Sequence, residues 1–259
     1  MIELKRLTIA AGGRTLVRDI DARIQTGEFV AILGANGVGK TTLLRVLSGL
    51  VRPASGTVSI DGLPLDALSV VARARRIAFV TSDDVMSEAL RVRDVVAIGR
   101  FPHHMWWQWR STEEDDEAVD GALGAVDMRS FADRFFTTLS SGERQRVWIA
   151  MGLAQQTPIL LLDEPTSHLD VRVAHEILAL LRALAHEGRA IVCVLHDLND
   201  AAAYADRLML LGCEKLLALE EPSAVMLPEL IESAYGISVE RIDTAAGPRV
   251  FAASLKAER

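Results

Sequence analysis

A glycine-rich loop between an apolar run and a helix-forming segment constrains the fold of this chain more than any other feature. The run Phe29–Leu33 is entirely apolar, and a segment of helical composition begins at Leu43. Between them the chain reads Gly34, Ala35, Asn36, Gly37, Val38, Gly39, Lys40, Thr41 and Thr42. This order of strand, loop and helix matches the G-x-x-x-x-G-K-[ST] pattern of a phosphate-binding P-loop. It predicts an α/β fold in which a buried strand leads into the loop.

The chemistry of this loop follows from its small residues. Successive backbone N–H groups can turn inward to form an anion-binding nest, and the helix start adds partial positive charge. We expect Lys40 to reach the outer phosphates of a nucleoside triphosphate and the Thr41 hydroxyl to bind Mg²⁺. The alternative is a turn that only joins a strand to a helix, but such a turn does not require all the fixed positions of the pattern.

Length, charge and composition exclude several classes of protein. The 259 residues can form one large domain, or one domain with an inserted lobe. No apolar run approaches the roughly 18 residues that cross a bilayer, and no signal-peptide pattern is present, so we expect a cytoplasmic protein. The net charge of −7 argues against a broad nucleic-acid surface. Cys193 and Cys213 are too few for a disulfide framework, and Cys193 is predicted to be a small core residue.

The pattern of apolar residues predicts one domain built from a core and an insertion. Residues 1–28 are expected to form antiparallel strands around a Gly12-Gly13 turn. From about residue 88 to 154, helical periodicity replaces strand signals, which predicts a helical lobe inserted into the core. About 1–87 and 155–259 would then form the nucleotide-binding core. Within the lobe, the acidic run Glu113–Glu117 after Thr112 predicts a capped, solvated helix start rather than a cation site.

Two carboxylates follow the apolar run Ile159–Leu162. Asp163 is predicted at the C-terminal end of a core strand, where open α/β sheets bind ligands and where it can hold Mg²⁺ through water. Glu164 is then placed to polarise an attacking water. His196 follows another apolar strand, which we expect to neighbour the Asp163 strand. A surface Asp-Glu-Pro turn and a structural histidine are the alternatives.

The segment Leu139–Arg146 distinguishes between these alternatives. Its residues alone predict a capped helix start, with Ser140 or Ser141 as the cap and Glu143 in the first turn. The segment resembles the signature motif of ATP-binding cassette (ABC) proteins, whose usual form is Leu-Ser-Gly-Gly-Gln. Here Ser stands in the third position and Glu in the fifth, while Ser140 and Gly142 are retained.

The resemblance covers essentially the whole chain. Gly34–Thr42 resembles the Walker A loop, Ile159–Glu164 Walker B, Thr166–Asp170 the D-loop, and His196 the switch histidine. It implies a P-loop NTPase core of the ABC ATPase type, with an N-terminal antiparallel β subdomain and an inserted α-helical subdomain. It also implies ATP and Mg²⁺ as cofactors, with Lys40, Glu164 and His196 as catalytic residues.

The resemblance further implies that two copies dimerise head to tail. ATP would lie between the Walker A loop of one copy and the signature segment of the other. The residues expected to complete the partner's site are Ser140, Ser141, Gly142, Glu143 and Asp170. Dimer closure would exclude water and let fixed dipoles stabilise the developing charge.

Two positions depart from the family pattern. Ala11 stands where an aromatic residue usually stacks on adenine, and we expect adenine either to stack on an arginine such as Arg14 or to be bound weakly. Ser82 stands in place of the Q-loop glutamine, so we expect Ser82, or the carboxylate of Asp83, to offer Mg²⁺ an oxygen.

The segments Val92–His103, Trp148–Met151 and Ala234–Ile237 resemble importers of ferric siderophores, haem and cobalamin. This resemblance implies a peripheral ATPase subunit at the cytoplasmic face of the inner membrane. Its partners would be two transmembrane permease subunits and, indirectly, a substrate-binding protein. A ferric siderophore is the expected cargo, and haem and cobalamin are alternatives.

Other classes remain as alternatives. A soluble ABC ATPase acting on nucleic acid or ribosomes usually has tandem cassettes and basic surfaces, which this chain lacks. A metabolic P-loop kinase would not need the Ser140 segment. His103, His104 and the tryptophans at 106, 107 and 109 invite a metal or haem site, but their spacing favours a partner interface.

Overall fold

The computed structural model describes residues 1–81, 90–104, 111–245 and 247–255. The strands are β1 (Ile2–Ala11), β2 (Arg14–Ile24), β3 (Phe29–Leu33), β4 (Ser55–Ile60), β5 (Leu63–Pro64), β6 (Ile77–Thr81), β7 (Ile159–Asp163), β8 (Ala190–Val194), β9 (Arg207–Gly212), β10 (Lys215–Glu220), β11 (Ile237–Thr244) and β12 (Gly247–Leu255). The α-helices are α1 (Lys40–Leu47), α2 (Val70–Ala74), α3 (Val92–Ala97), α4 (Glu113–Ala125), α5 (Ser141–Ala154), α6 (Val171–His186), α7 (Leu198–Tyr204), α8 (Pro222–Val225) and α9 (Pro228–Tyr235). Short 3-10 segments lie at Leu65–Ala67, Ile98–His103, Arg129–Phe131 and Phe136–Thr138.

Ten of the strands in the described residues form one sheet in the order β5-β4-β1-β2-β10-β9-β3-β8-β7-β6. In one half, β5, β4, β1 and β2 pair antiparallel, and β10 pairs parallel with β2 and antiparallel with β9. In the other half, β9, β3, β8, β7 and β6 all run parallel. The carboxyl ends of β3, β7 and β8 therefore meet at one edge of the sheet, where the P-loop, Glu164 and His196 follow. The resemblance predicted this α/β architecture, and the structure confirms it.

The central strand β3 is buried on both faces. Phe29, Ala31 and Leu33 pack into one hydrophobic cluster, whereas Val30 and Ile32 pack into a second cluster on the opposite face. Helix α6 contributes to the first cluster and α1 to the second. A strand covered on both faces needs a continuous apolar run, which explains the composition of the segment that leads into the P-loop.

Helices α3, α4 and α5 lie within the segment for which a helical lobe was predicted, although the boundaries of that lobe remain a prediction. The start of α4 differs from the expectation of a solvated first turn. Thr112 caps the helix as predicted, but the Asp115 side chain is only 5% exposed and lies 2.8 Å from Nε of the buried Arg100. The prediction of a solvated side chain was wrong for Asp115, because the arginine that buries it, Arg100, lies in another segment.

The β11–β12 hairpin was not predicted. It forms a separate two-stranded sheet, and Val239 and Val250 on its inner face join the first hydrophobic cluster. Cys193 is fully buried in β8, as predicted, and burial raises the pKa of its thiol well above the usual value. Among the described residues, no helix combines the length and apolar character that crossing a bilayer requires.

Candidate nucleotide-binding site

The P-loop adopts backbone conformations that favour glycine. Gly37 and Gly39 have φ angles of 79° and 116°, in the left-handed region. A Cβ on Gly39 would come within 3.1 Å of both Ile9 and Leu16, so the loop packs directly on β1 and β2. In the described part of the chain, no side chain caps α1, whose first turn follows Gly39. The N–H groups of that turn therefore lack a side-chain acceptor and can bind an anion.

Lys40 is folded back onto the loop that precedes it. Its Nζ donates to the carbonyl oxygen of Gly34 at 2.7 Å and to that of Ala35 at 3.3 Å. Burial lowers the pKa of Lys40, while the negative charges of Glu164 and Asp163 oppose that shift. The ammonium group thus sits beside two carboxylates at the base of the loop.

Thr41 connects the P-loop to the end of β7. Its hydroxyl donates to Oδ1 of Asp163 at 3.1 Å. This contact places an alcohol oxygen and a carboxylate side by side, 122 positions apart in the sequence. No group of three or more His, Cys, Asp or Glu residues that could hold a metal occurs among the described residues. The protein therefore offers a hard cation two adjacent oxygens rather than a closed cage.

Glu164 and His196 form a second pair at the same edge of the sheet. Nε2 of His196 lies 2.7 Å from Oε1 of Glu164, and the Ser167 hydroxyl donates to Oε2 of Glu164 at 3.2 Å. Glu164 has a φ of 51°, a strained conformation for a residue other than glycine. Both side chains remain partly exposed, at 36% for Glu164 and 46% for His196. The carboxylate is thus oriented from two sides while it stays accessible to water.

One cleft, with a volume of about 410 Å³, brings together Lys40 and Thr41 of the P-loop with Glu164 and His196. Its lining residues are Leu16, Asn36, Gly37, Gly39, Lys40, Thr41, Thr42, Glu164 and His196. Arg14, the expected partner for adenine, is exposed and is not among them, whereas Leu16 on the same strand is. Neither Leu16 nor Ser167 was predicted to belong to the site. The alternation of β2 could have indicated Leu16, and Ser167 lies within the segment that resembles the D-loop.

The residues of the signature segment lie outside this cleft. Ser140 caps α5 in a reciprocal arrangement, in which its N–H donates to Oε2 of Glu143 at 2.7 Å and its hydroxyl accepts from the N–H of Glu143 at 3.3 Å. These bonds hold the pKa of Glu143 below its usual value. Gly142 lies against Val173 of α6, and Asp170 caps α6 by accepting from the N–H of Val173. Ser82 and Asp83 lie outside the described residues, as do the tryptophans at 106, 107 and 109.

Relatives of known function place the chain in a family. The family profile described as ABC transporter matches residues 17–167. The chain is 42% identical to the ferric enterobactin transport ATP-binding protein FepC of Escherichia coli (strain K12), over 92% of this chain and 88% of that protein. It is 41% identical to the hemin import ATP-binding protein HmuV of Nocardia farcinica (strain IFM 10152), over 89% of this chain and 79% of that protein.

Solved structures agree with this assignment. An inward-facing conformation of a metal-chelate type ABC transporter superposes with a TM-score of 0.85 at 26% identity, covering 98% of this chain and 97% of that chain. A dimeric ATP-binding cassette in a post-hydrolysis state, bound to ADP and Pi, superposes with a TM-score of 0.74 at 30% identity, covering 86% of this chain and 99% of that chain. The chain therefore belongs to the ABC transporter family, as one of its ATP-binding and ATP-hydrolysing subunits.

Proposed function

We propose that this chain powers a membrane importer for an iron complex, with a ferric siderophore as the cargo of the whole transporter. The similarity to FepC, which spans nearly the full length of both proteins, is the observation that carries the proposal. The cleft described above supplies the groups that such an ATPase needs. In this proposal the cargo never touches the chain, which only converts ATP hydrolysis into movement of its membrane partners.

The phosphates of ATP would bind to N–H groups of the P-loop Gly34–Thr42 that follow Gly34, whose own N–H donates to Tyr235. Lys40 would exchange the carbonyl oxygens of Gly34 and Ala35 for the outer phosphate oxygens. The exchange is favourable because a phosphate carries full negative charge, whereas a carbonyl offers only a dipole. Leu16, beside Gly39, would provide an apolar contact at the edge of the nucleotide.

Mg²⁺ fits the oxygen pair formed by Thr41 and Asp163. This ion prefers oxygen ligands and usually combines one or two protein groups with waters and phosphate oxygens, which agrees with a site of two side chains. When bound, the ion would neutralise charge on the phosphates. The Thr41 hydroxyl then has to turn its oxygen toward the ion, and Asp163 keeps that oxygen in place. We also propose Ser82 as a further oxygen donor, as inferred from its position in the sequence.

Glu164 is the proposed general base. Its carboxylate accepts a hydrogen bond from water and takes the proton as the water oxygen bonds to the outer phosphorus, while the bond from that phosphorus to the bridging oxygen breaks and ADP leaves. Ser167 and His196 contact the two carboxylate oxygens and would orient them, and in this proposal His196 also contacts the outer phosphate. The strained backbone at Glu164 directs the carboxylate into the cleft.

A second copy of the chain would complete the site. Ser140, Ser141, Gly142, Glu143 and Asp170 do not line the cleft of their own copy, so they are available to cover the nucleotide of a partner. The helix start at Ser140 would add partial positive charge near the outer phosphate. The proposed assembly therefore contains two ATPase subunits and two transmembrane permease subunits, with a substrate-binding protein delivering the cargo. It lies at the cytoplasmic face of the inner membrane.

Haem is a second candidate cargo, because the identity to HmuV is nearly the same as the identity to FepC. A deletion strain complemented with the wild-type chain would separate these cargoes. Uptake of a labelled ferric siderophore, labelled haem and labelled cobalamin would be measured in parallel. Glu164→Gln should abolish the uptake that the wild type restores, while Glu187→Gln, at an exposed position after α6, should restore it fully.

The outcomes of this experiment are distinct. Restored siderophore uptake supports the proposal. Restored uptake of haem or cobalamin alone would show that the proposed cargo is wrong but that the chain still powers an importer. If the tagged chain co-purifies with ribosomes or nucleic acid and with no polytopic membrane protein, the importer function is overturned. The net charge of −7 makes that outcome unexpected.

A further inference from the structure

The C-terminal part of the chain contacts the nucleotide site through one hydrogen bond. Tyr235, the last residue of α9, accepts a hydrogen bond at its hydroxyl oxygen from the backbone N–H of Gly34, with a distance of 2.8 Å. Gly34 is the first residue of the P-loop, 201 positions away. Burial raises the pKa of Tyr235 to about 12, so the phenol stays neutral at physiological pH.

Gly34 links this tyrosine to the lysine of the P-loop. Its N–H is bonded to Tyr235, and its carbonyl oxygen accepts from Nζ of Lys40 at 2.7 Å. Its φ of 146° is in the region that favours glycine, and a Cβ there would lie 2.5 Å from the carbonyl oxygen of Leu211. The peptide that opens the P-loop is therefore confined by β9 on one side and Tyr235 on another.

Tyr235 is itself held in place by its surroundings. Gly212 and Ala234 approach so closely that a Cβ on Gly212 would lie 2.9 Å from Cα of Ala234. Farther along the chain, the Asn199 side chain accepts from the N–H of Val250 at 2.8 Å and donates to its carbonyl oxygen at 3.1 Å. Asn199 lies in the first turn of α7, which begins two residues after His196. Tyr235 thus contacts the P-loop, and Val250, later in the same C-terminal part of the described chain, contacts the helix that follows His196.

We propose that Tyr235 is a positioning residue of the nucleotide site. By fixing the Gly34 peptide, it holds the P-loop in the conformation in which the following N–H groups converge on phosphate. The inference rests on the proposed function, because it assumes that the P-loop binds ATP. Without the hydroxyl, the buried N–H of Gly34 loses its acceptor, and the loop would turn to find another before nucleotide arrives. Nucleotide binding would then have to restore the original conformation.

The substitution Tyr235→Phe tests this role, since it removes one oxygen and keeps the ring. We expect the dissociation constants of ATP and ADP to rise by about fivefold to tenfold, and the KM for ATP to rise with them, while kcat changes less than twofold. Tyr204→Phe is the matched control. The Tyr204 hydroxyl also makes a 2.8 Å hydrogen bond, but its partner is His175 on α6, away from the P-loop. This control should leave nucleotide affinity unchanged.

Binding would be measured by calorimetry, with ATP in a Glu164→Gln background, and folding by thermal unfolding without nucleotide. A lower unfolding temperature with unchanged affinity would mean that Tyr235 only stabilises the fold, and the proposal would be overturned. If Tyr235→Phe does not fold, Asn199→Ala loosens the same segment and must raise KM for ATP, or the proposal fails. If the wild type does not bind ATP, the proposed function itself is wrong. Failure of the Tyr235 proposal and failure of the proposed function therefore give different results.

Discussion

Nε2 of His196 lies 2.7 Å from Oε1 of Glu164 because the two residues follow neighbouring parallel strands. Glu164 comes directly after β7, and His196 comes two residues after β8. The register pairs Asp163 with Val194, so the two strands end at the same level of the sheet. The pair is therefore a direct consequence of strand order, and it places a carboxylate and an imidazole at one side of the P-loop cleft.

Replacing the proposed base should separate nucleotide binding from turnover. Glu164→Gln keeps the shape of the side chain but removes its ability to hold a proton, so we expect kcat to fall by about 10²- to 10⁴-fold. ATP affinity should be retained, and ATP should then hold two copies together as a stable dimer. Phosphate release and gel filtration with ATP measure these effects, with Glu187→Gln as the control. Continued multiple turnover by Glu164→Gln would show that another group is the base.

Removing the imidazole should also slow turnover and leave nucleotide binding intact. His196→Ala eliminates one of the two groups that orient Glu164, and we expect kcat to fall at least about tenfold. Because the two residues act as a unit, the double variant with Glu164→Gln should be scarcely slower than Glu164→Gln alone. His186→Ala, at an exposed position in the last turn of α6, is the control. Fully additive losses would mean that His196 acts independently of Glu164.

Local patterns were sufficient to predict much of the fold. The apolar run at 29–33, the P-loop and the run at 159–162 lie in the predicted order, and the strands that precede Glu164 and His196 are neighbours. The β11–β12 hairpin escaped prediction because its exposed and buried residues do not alternate regularly. Glu240 and Arg241 are adjacent in β11, and Phe251 is exposed in β12. Such a pattern carries little information about burial.

Contacts between distant segments could not be predicted in the same way. Tyr235 ends a helix of eight residues, and nothing in its neighbours indicates a bond to Gly34. Asp115 stands among five consecutive acids, and only the position of Arg100 determines which of them is buried. The roles of the residues in the signature segment likewise depend on a second copy, and they remain predictions from the family pattern.

The buried ion pair predicts a specific loss of stability. Burial raises the pKa of Asp115, but hydrogen bonds from Thr112, Arg100 and His104 outweigh it and hold the pKa well below its usual range. Asp115→Asn would leave the buried guanidinium of Arg100 with only the exposed carboxylate of Glu114, at 3.7 Å, as an ionic partner, so the free energy of unfolding should fall by about 3 kcal/mol. Asp116→Asn, at the exposed neighbouring position, should change it by less than about 0.5 kcal/mol. Urea unfolding measures both.

The ion pair of Arg100 and Asp115 also determines how the stability of the protein changes with pH. Because the pKa of Asp115 is lower in the folded state than in the unfolded chain, its contribution is complete above the unfolded value of about 3.9 and decreases as pH falls below it. The stability difference between wild type and Asp115→Asn should therefore be constant from pH 7 to about pH 5 and shrink toward pH 3. A difference that grows on acidification would contradict the depressed pKa.

A substitution next to the β1–β2 turn should strengthen the binding of adenine. Phe29, buried in β3, is the only aromatic residue in residues 1–78, so Ala11, Arg14 and Leu16 offer adenine no ring to stack on. Ala11 is exposed at the end of β1. Placing a ring there with Ala11→Tyr should lower the dissociation constant of ATP by about fivefold to tenfold through base stacking. Calorimetry with ATP measures the change.

Two controls separate stacking from other effects of this substitution. Ala11→Leu adds apolar bulk without a π face and should give only a small part of the gain in ATP affinity. Affinity for inorganic tripolyphosphate should be equal in the wild type, Ala11→Tyr and Ala11→Leu. A separate variant, Arg14→Ala in the wild-type background, tests whether a guanidinium already stacks on adenine, and unchanged ATP affinity would exclude Arg14 from that role. If Ala11→Tyr strengthens tripolyphosphate binding as much as ATP binding, the ring acts on the P-loop, and the interpretation as base stacking fails.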